Sequence, residues 1–158
     1  FEGGFRVSTK EVVEVAEMVL CGSVNKGISS AICSAGGRAI GLSGRDDSLL
    51  QCSKQINEDG FDLGFVGVVK TVNTDLLNQL LKIGITPVVS PIGTGIGDEV
   101  NVAFNVNADT AAGRIAGELK AARVLFLTDI AGVLDKEKNL LRKQLTVYLT
   151  RPMKTGNG

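Results

Sequence analysis

The sequence predicts an α/β fold, and three observations predict it. Helical patterns, with apolar residues at intervals of three and four, alternate along the chain with short apolar runs of strand length. Two of those runs, residues 85–90 (ITPVVS) and 123–129 (RVLFLTD), centre on continuous apolar stretches, as strands covered on both faces do. Between them an extended segment runs straight into a helix. The order is then strand, loop, helix, strand, one βαβ unit with a right-handed crossover expected. At 158 residues and 44% hydrophobic content the chain fits one domain with a real core, and no linker or internal repeat is evident.

Ser8, Thr9, Lys10 and Glu11 fit the Ser-x-x-Glu capping box, and Val12, Val15, Ala16, Val19 and Leu20 follow at helical spacing with Lys10, Glu14 and Glu17 opposite. A helix is expected over residues 9–21. Gly22 should interrupt it, with a second helix over residues 23–35 closed by Gly36 and Gly37. Residues 38–42 read as a short strand ending at the loop Ser43-Gly44-Arg45-Asp46-Asp47. Residues 49–53 and 63–69 read as strands around an Asn57-Glu58-Asp59-Gly60 turn, an antiparallel excursion rather than core. Thr74 is expected to cap a helix over residues 75–83 that buries Leu76, Leu77, Leu80 and Leu81 and ends at Gly84. After the strand at 85–90, residues 91–99 contain Gly93, Gly95 and Gly97 and read as a flexible loop. Gly113 and Gly117, four apart on the helix of residues 108–119, are expected to let that helix approach the sheet closely.

Composition removes several classes of function. Seventeen basic and seventeen acidic residues cancel, and no basic run with interleaved aromatics occurs, so a nucleic-acid partner is not expected. No apolar run is long enough to cross a bilayer. The chain has no histidine, and its three cysteines, Cys21, Cys33 and Cys52, form no Cys-x-x-Cys pair. A zinc site of the usual kind, a Ser-His or Cys-His nucleophile pair and an imidazole base are therefore excluded. The thiols read as small, partly buried apolar residues in a reducing compartment. Residue 1 is Phe rather than Met, so the sequence reads as a processed protein or a fragment, without a secretory pattern at its start.

The stretch that organises the rest is Phe104-Asn105-Val106-Asn107-Ala108-Asp109-Thr110. While the chain is extended, Asn105 and Asn107 point to one side and Val106 to the other. Asp109 falls in the first turn of the following helix, where a carboxylate suits the free backbone N–H groups. Two amides and a carboxylate at a helix start can hold a small anionic or amide-bearing molecule. They can equally be mere caps, which spacing alone favours.

The runs GFRVST, VNKG, IGLSGRD, LGFVGVV, ITPVVS, NVNADTAA and LFLTDIAGVL, in that order and at those separations, resemble the N-acetylglutamate kinases of arginine biosynthesis, within the amino acid kinase family. The match is to the plastid and cyanobacterial type and spans residues 1–146; residues 147–158 (VYLTRPMKTGNG from 147) diverge into a tail without periodicity. The resemblance implies a three-layer sandwich with a mainly parallel central sheet, incomplete here. It implies phosphorylation of the side-chain carboxylate of N-acetyl-L-glutamate by ATP with Mg, giving an acyl phosphate. By resemblance Arg6 clamps the substrate carboxylate with two parallel hydrogen bonds. Asn105 and Asn107 are similar to substrate-binding residues, Asn107 being equally suited to cap the helix. Asp109 resembles the family's organiser, which holds two catalytic lysines by charge pairing. Thr128, Asp129, Ile130, Ala131, Gly132, Val133 and Leu134 resemble the ATP-binding loop, with Gly132 admitting the nucleotide to the backbone.

The family's Lys-x-Gly-Gly turn and His-Gly-Gly-Gly loop belong before Phe1, and its second lysine belongs after Thr146. Lys26, Lys70, Lys120, Lys136 and Lys138 do not occupy matching positions. Losing one such charge-stabilising group costs roughly 3 kcal/mol of barrier, so turnover by this chain alone is not expected. A related small-acid kinase, or a non-catalytic remnant acting through association, remains an alternative. Family members assemble as oligomers and plastid ones bind the PII signalling protein, which places the chain in the chloroplast, or in the cytoplasm if bacterial.

Overall fold

The structure, a computed structural model, describes residues 7–56, 60–127 and 140. The chain divides into two compact units, Phe1–Val124 and Leu125–Gly158, and the sheet and cleft described below belong to the first.

Thr9, not Ser8, starts the first helix, α1 (Lys10–Glu17). Its backbone is extended and its Oγ1 accepts from the Val12 N–H at 3.3 Å. Ser8 is already committed to the sheet: its N–H donates to the Leu63 carbonyl at 3.1 Å and its carbonyl accepts from Phe65 N–H at 2.7 Å. Nor does Gly22 break the helix. The chain widens into a π-helical segment, Met18–Val24, and continues as α2 (Asn25–Ser34). The freedom of a glycine is here absorbed by one wide turn. The end of α2 is as expected. Gly36 sits at φ +86°, with its N–H on the Cys33 carbonyl and the Gly37 N–H on Ile32, both at 3.0 Å, a Schellman closure.

Five strands, β1 (Ala39–Gly44), β2 (Leu50–Ile56), β3 (Asp62–Val72), β4 (Thr86–Gly95) and β5 (Ala103–Asn105), form one sheet in the order β1-β4-β2-β3-β5. β1 and β2 run parallel to β4, and β3 antiparallel to β2. β5 pairs parallel with β3 and antiparallel with β4, so the sheet is mixed. Two expectations change. The β2–β3 hairpin is core rather than excursion, because β2 lies between β4 and β3, and Leu50 and Cys52 are fully buried. Residues 91–99 are not a flexible loop: β4 runs on to Gly95 and a 3₁₀ turn, Gly97–Glu99, follows. The glycines serve close approach, since a Cβ on Gly93 would overlap the Cys52 sulfur and one on Gly95 the Glu99 carbonyl.

Helices cover both faces of the sheet. Ser90 of β4 hydrogen-bonds Asn25 of α2, whereas Val89, which points the other way, packs on the cluster that holds Leu77 and Ala111. Those two residues belong to α3 (Asp75–Lys82) and α4 (Ala108–Glu118). In α3 only Leu77 is fully buried and Leu81 is 49% exposed, because two turns of helix cannot set four leucines against one strand. Thr74 makes no side-chain cap; Asn73 Oδ1 accepts the Asp75 N–H instead, at 3.2 Å. Gly84, at φ +72°, closes α3 as expected. Gly113 and Gly117 are exposed with nothing within 4 Å of an added Cβ, so they do not mediate close packing on the sheet.

The apolar run at residues 123–127 has no regular structure, and Leu125 and Leu127 are 83% and 99% exposed. An apolar run becomes a strand only where a neighbour completes its ladder, and no pairing of this run occurs among the described residues. Of the expected βαβ unit, the first strand is present within β4 and the helix as α4, while the last strand does not form among the described residues. No helix among the described residues is long and apolar enough to cross a membrane.

Candidate functional site

β5 ends at Asn105 and α4 starts at Ala108, so only Val106 and Asn107 join sheet to helix. The alternation expected from sequence is present. Phe104 and Val106 turn into the core at 0% and 4% exposure, while Asn105 is half-buried and Asn107 exposed. Asn105 is held from both sides by its pairing with Val66 of β3 and Ile92 of β4, and the next N–H, that of Val106, donates to the Pro91 carbonyl at 2.9 Å.

These residues form one wall of a cleft of ≈ 720 Å³. The facing wall is helical and apolar: Val12, Val15 and Ala16 of α1, then Val19 and Leu20 of the π-helical segment. The apolar stripe that helical spacing sets opposite Lys10, Glu14 and Glu17 therefore lines a cavity, with Val12, Val15 and Val19 at 47%, 54% and 47% exposure, while the core contact of α1 is Val13 at 2%. Helical spacing identified the stripe but not what lies opposite it. None of the described residues that line the cleft is charged.

The two amides differ in what they do. Asn107 Oδ1 accepts from the Thr110 N–H at 2.9 Å and the Thr110 hydroxyl at 3.2 Å, so it is the helix cap. Asn105 has no side-chain hydrogen bond among the described residues, and its carbonyl and NH₂ are both open to a ligand. Asp109 sits exposed in the first turn of α4 and is not among the residues lining the cleft. Arg6, Thr128, Asp129, Ile130, Ala131, Gly132, Val133 and Leu134 lie outside the described residues. The structure thus brings Asn105 and Asn107 together, and Asp109 follows within the same helix start.

Arg45 is spent on structure. Its guanidinium donates to both oxygens of Glu17 at 2.7 and 3.0 Å and to the Asn101 carbonyl at 3.2 Å, tying the loop after β1 to α1. The cysteines divide three ways: Cys52 is buried, Cys21 intermediate, and Cys33 exposed, contrary to the expectation that all three are partly buried. Burial pushes the Cys52 thiol up to about 11, and desolvation raises Cys21 as well.

A sequence profile of the amino acid kinase family matches residues 2–147. The chain belongs to the amino acid kinase family. The acetylglutamate kinase of Cereibacter sphaeroides is 52% identical over 153 residues, covering 97% of this chain and 50% of that protein. That of Rhodospirillum centenum is 50% identical over 150 residues, covering 89% of this chain and 48% of its own length. The chain spans about half the length of the curated relatives it matches. Among solved structures, smu.665 from Streptococcus mutans UA159 superposes with a TM-score of 0.72 at 24% identity, covering 86% of this chain and 53% of that one. This second likeness shows the fold alone, and it is the α/β class expected from sequence.

Proposed function

We propose that this chain is the substrate-binding part of an acetylglutamate kinase, which phosphorylates the side-chain carboxylate of N-acetyl-L-glutamate at the expense of ATP in arginine biosynthesis. The observation that carries the reading is the 52% identity to the Cereibacter sphaeroides enzyme over 97% of the chain, a span that includes every described wall of the cleft. Asn105 offers a donor and an acceptor to an acetamido group, and the apolar helical wall opposite suits the methyl and methylene groups of such a substrate. Arg6 is assigned the substrate carboxylate, which its planar guanidinium can grip with two parallel bonds.

MgATP, when bound, would supply the phosphoryl group for transfer to a carboxylate oxygen of the substrate, with ADP as the leaving group. Asp109 is assigned the pairing of lysine ammonium groups around that transfer; its exposed carboxylate at the start of α4 leaves it open to such partners. Residues 128–134 are assigned to the nucleotide, with Gly132 at the closest approach. Mg²⁺ is assigned mainly to the phosphates of the nucleotide, as is usual for a cation that keeps part of its water shell. The motif resemblance supports the plastid and cyanobacterial type, hence a chloroplast protein that forms homo-oligomers and binds PII. The bacterial relatives support a cytoplasmic counterpart.

The test is a thermal-shift assay on the full-length protein. N-acetyl-L-glutamate and ADP should each raise the melting temperature, and a flat response to both at millimolar concentration refutes the reading. A panel of other carboxylic and amino acids separates it from a kinase of a related small acid, because only the acetylated substrate should engage Asn105.

A further inference from the structure

The cleft's helical wall includes a turn that ordinary helix energetics does not favour. The π-helical segment Met18–Val24 supplies Val19 and Leu20 to the wall, directly after Val15 and Ala16 of α1. Such turns are rare, recur at functional sites, and persist where tertiary contacts hold them. Here the contacts are polar and buried. The Leu20 carbonyl accepts from the Asn25 backbone N–H, which closes the wide turn, and from the Ser90 hydroxyl at 2.9 Å. Ser90 Oγ in turn accepts from Asn25 Nδ2 at 3.0 Å, and the same nitrogen lies 3.0 Å from the Leu42 carbonyl and 2.8 Å from that of Val88. One side chain therefore clasps the turn to β1 and β4 together. Asn25 is 1% and Ser90 5% exposed, and neither lines the cleft. Gly41 of β1 makes the room, since a Cβ there would overlap Asn25 Oδ1.

We propose that Asn25 and Ser90 are positioning residues, which fix the π turn and through it the apolar wall that faces Asn105 across the substrate cleft. Without the Ser90 hydroxyl, the Leu20 carbonyl keeps only the Asn25 N–H and the Asn25 amide only the Leu42 and Val88 carbonyls, so the turn loses its direct tie to β4 and is free to unwind. Its collapse into ordinary α-helix shifts the preceding residues by one position, about 100° around the axis, which carries Val19 and Leu20 away from the cleft. The choice of N-acetyl-L-glutamate as the affected ligand rests on the proposed function; the hold on the turn does not.

The experiment compares wild type, Ser90→Ala, Ser90→Cys and Ser90→Thr in the full-length protein. It reads KM for N-acetyl-L-glutamate and for ATP separately, and amide hydrogen exchange at residues 18–24 in unliganded protein. Ser90→Ala should raise KM for acetylglutamate on the order of tenfold while leaving that for ATP within about twofold, and speed exchange at residues 18–24 on the order of tenfold. Ser90→Thr, which keeps the hydroxyl, should restore both readouts. Ser90→Cys, close in size with a weak donor, should fall between and decides the matter if the alanine variant does not fold. Unchanged exchange at residues 18–24, or an equal rise in both KM values, overturns the proposal. If wild type shows no turnover of acetylglutamate, the proposed function fails on its own and the exchange arm alone decides this inference.

Discussion

Asn105 and Asn107 look interchangeable in the sequence, and the fold gives them separate tasks. The first residue of α4 is Ala108, which makes Thr110 the third helical residue and puts its N–H within reach of Asn107 but not of Asn105. Asn107→Ala should therefore cost about 1 kcal/mol of stability, seen in urea or thermal denaturation. Asn105→Ala should stay within about 0.5 kcal/mol of wild type and yet abolish the rise in melting temperature with N-acetyl-L-glutamate. Equal destabilisation by the two variants, with ligand response kept in both, would contradict the division. The motif itself was legible, because two amides at a spacing of two must share a side of an extended chain. Which of them is the cap was not, since that depends on where the helix begins, and a helix start is fixed by packing as much as by local preference.

At the level of elements, periodicity found each α-helix among the described residues and misjudged how wide a face each one buries. α3 reads as a four-leucine stripe, but it buries Leu77 at 1% exposure and leaves Leu81 at 49%. Leu77→Ala should lose about 2–5 kcal/mol, whereas Leu81→Ala should lose under about 1 kcal/mol, as measured by chemical denaturation of each variant. α1 errs in the same direction, its apolar stripe being left for a cavity to use while Val13 makes the core contact. Sequence reads Gly93 and Gly95 of β4 as loop residues because glycine weakens a strand in isolation. In the sheet their missing side chains admit Cys52 and the Glu99 backbone, a reason that exists only once other strands are in place. The same holds for Gly22 and the π turn, where local sequence marks a weak point and the buried Asn25 and Ser90 decide what becomes of it.

For the molecule as a whole, the largest titration effect among the described residues comes from the core. Cys52 has 0% exposure at the middle of the sheet, and burial lifts its thiol from 9.0 to about 11. Below pH 9 the thiol is neutral in folded and unfolded chain alike, and this contribution to stability is fully present. As pH rises toward 11 the unfolded chain loses the proton first, so stability falls across that window, by up to about 3 kcal/mol. Cys21, also raised, adds to the fall in the same direction. Urea denaturation from about pH 8 to about pH 11 should show this slope in wild type and a shallower one in Cys52→Ala. A slope identical in the two would assign the alkaline loss to other groups.

The sequence by itself determined the α/β class, the helices and most strands, the family, and the stretch on which the site is built, because these rest on periodicity, on helix-end chemistry and on motifs read within a few residues of one another. Tertiary structure alone decided that the β2–β3 hairpin is core, that the apolar face of α1 lines a cleft, and that residues 123–127 form no strand among the described residues. Each of these depends on what lies across from an element. A sequence states an element's own preferences, but burial and ladder bonding belong to pairs of elements, and the partners can be 70 positions apart or more, as Leu20 and Ser90 are.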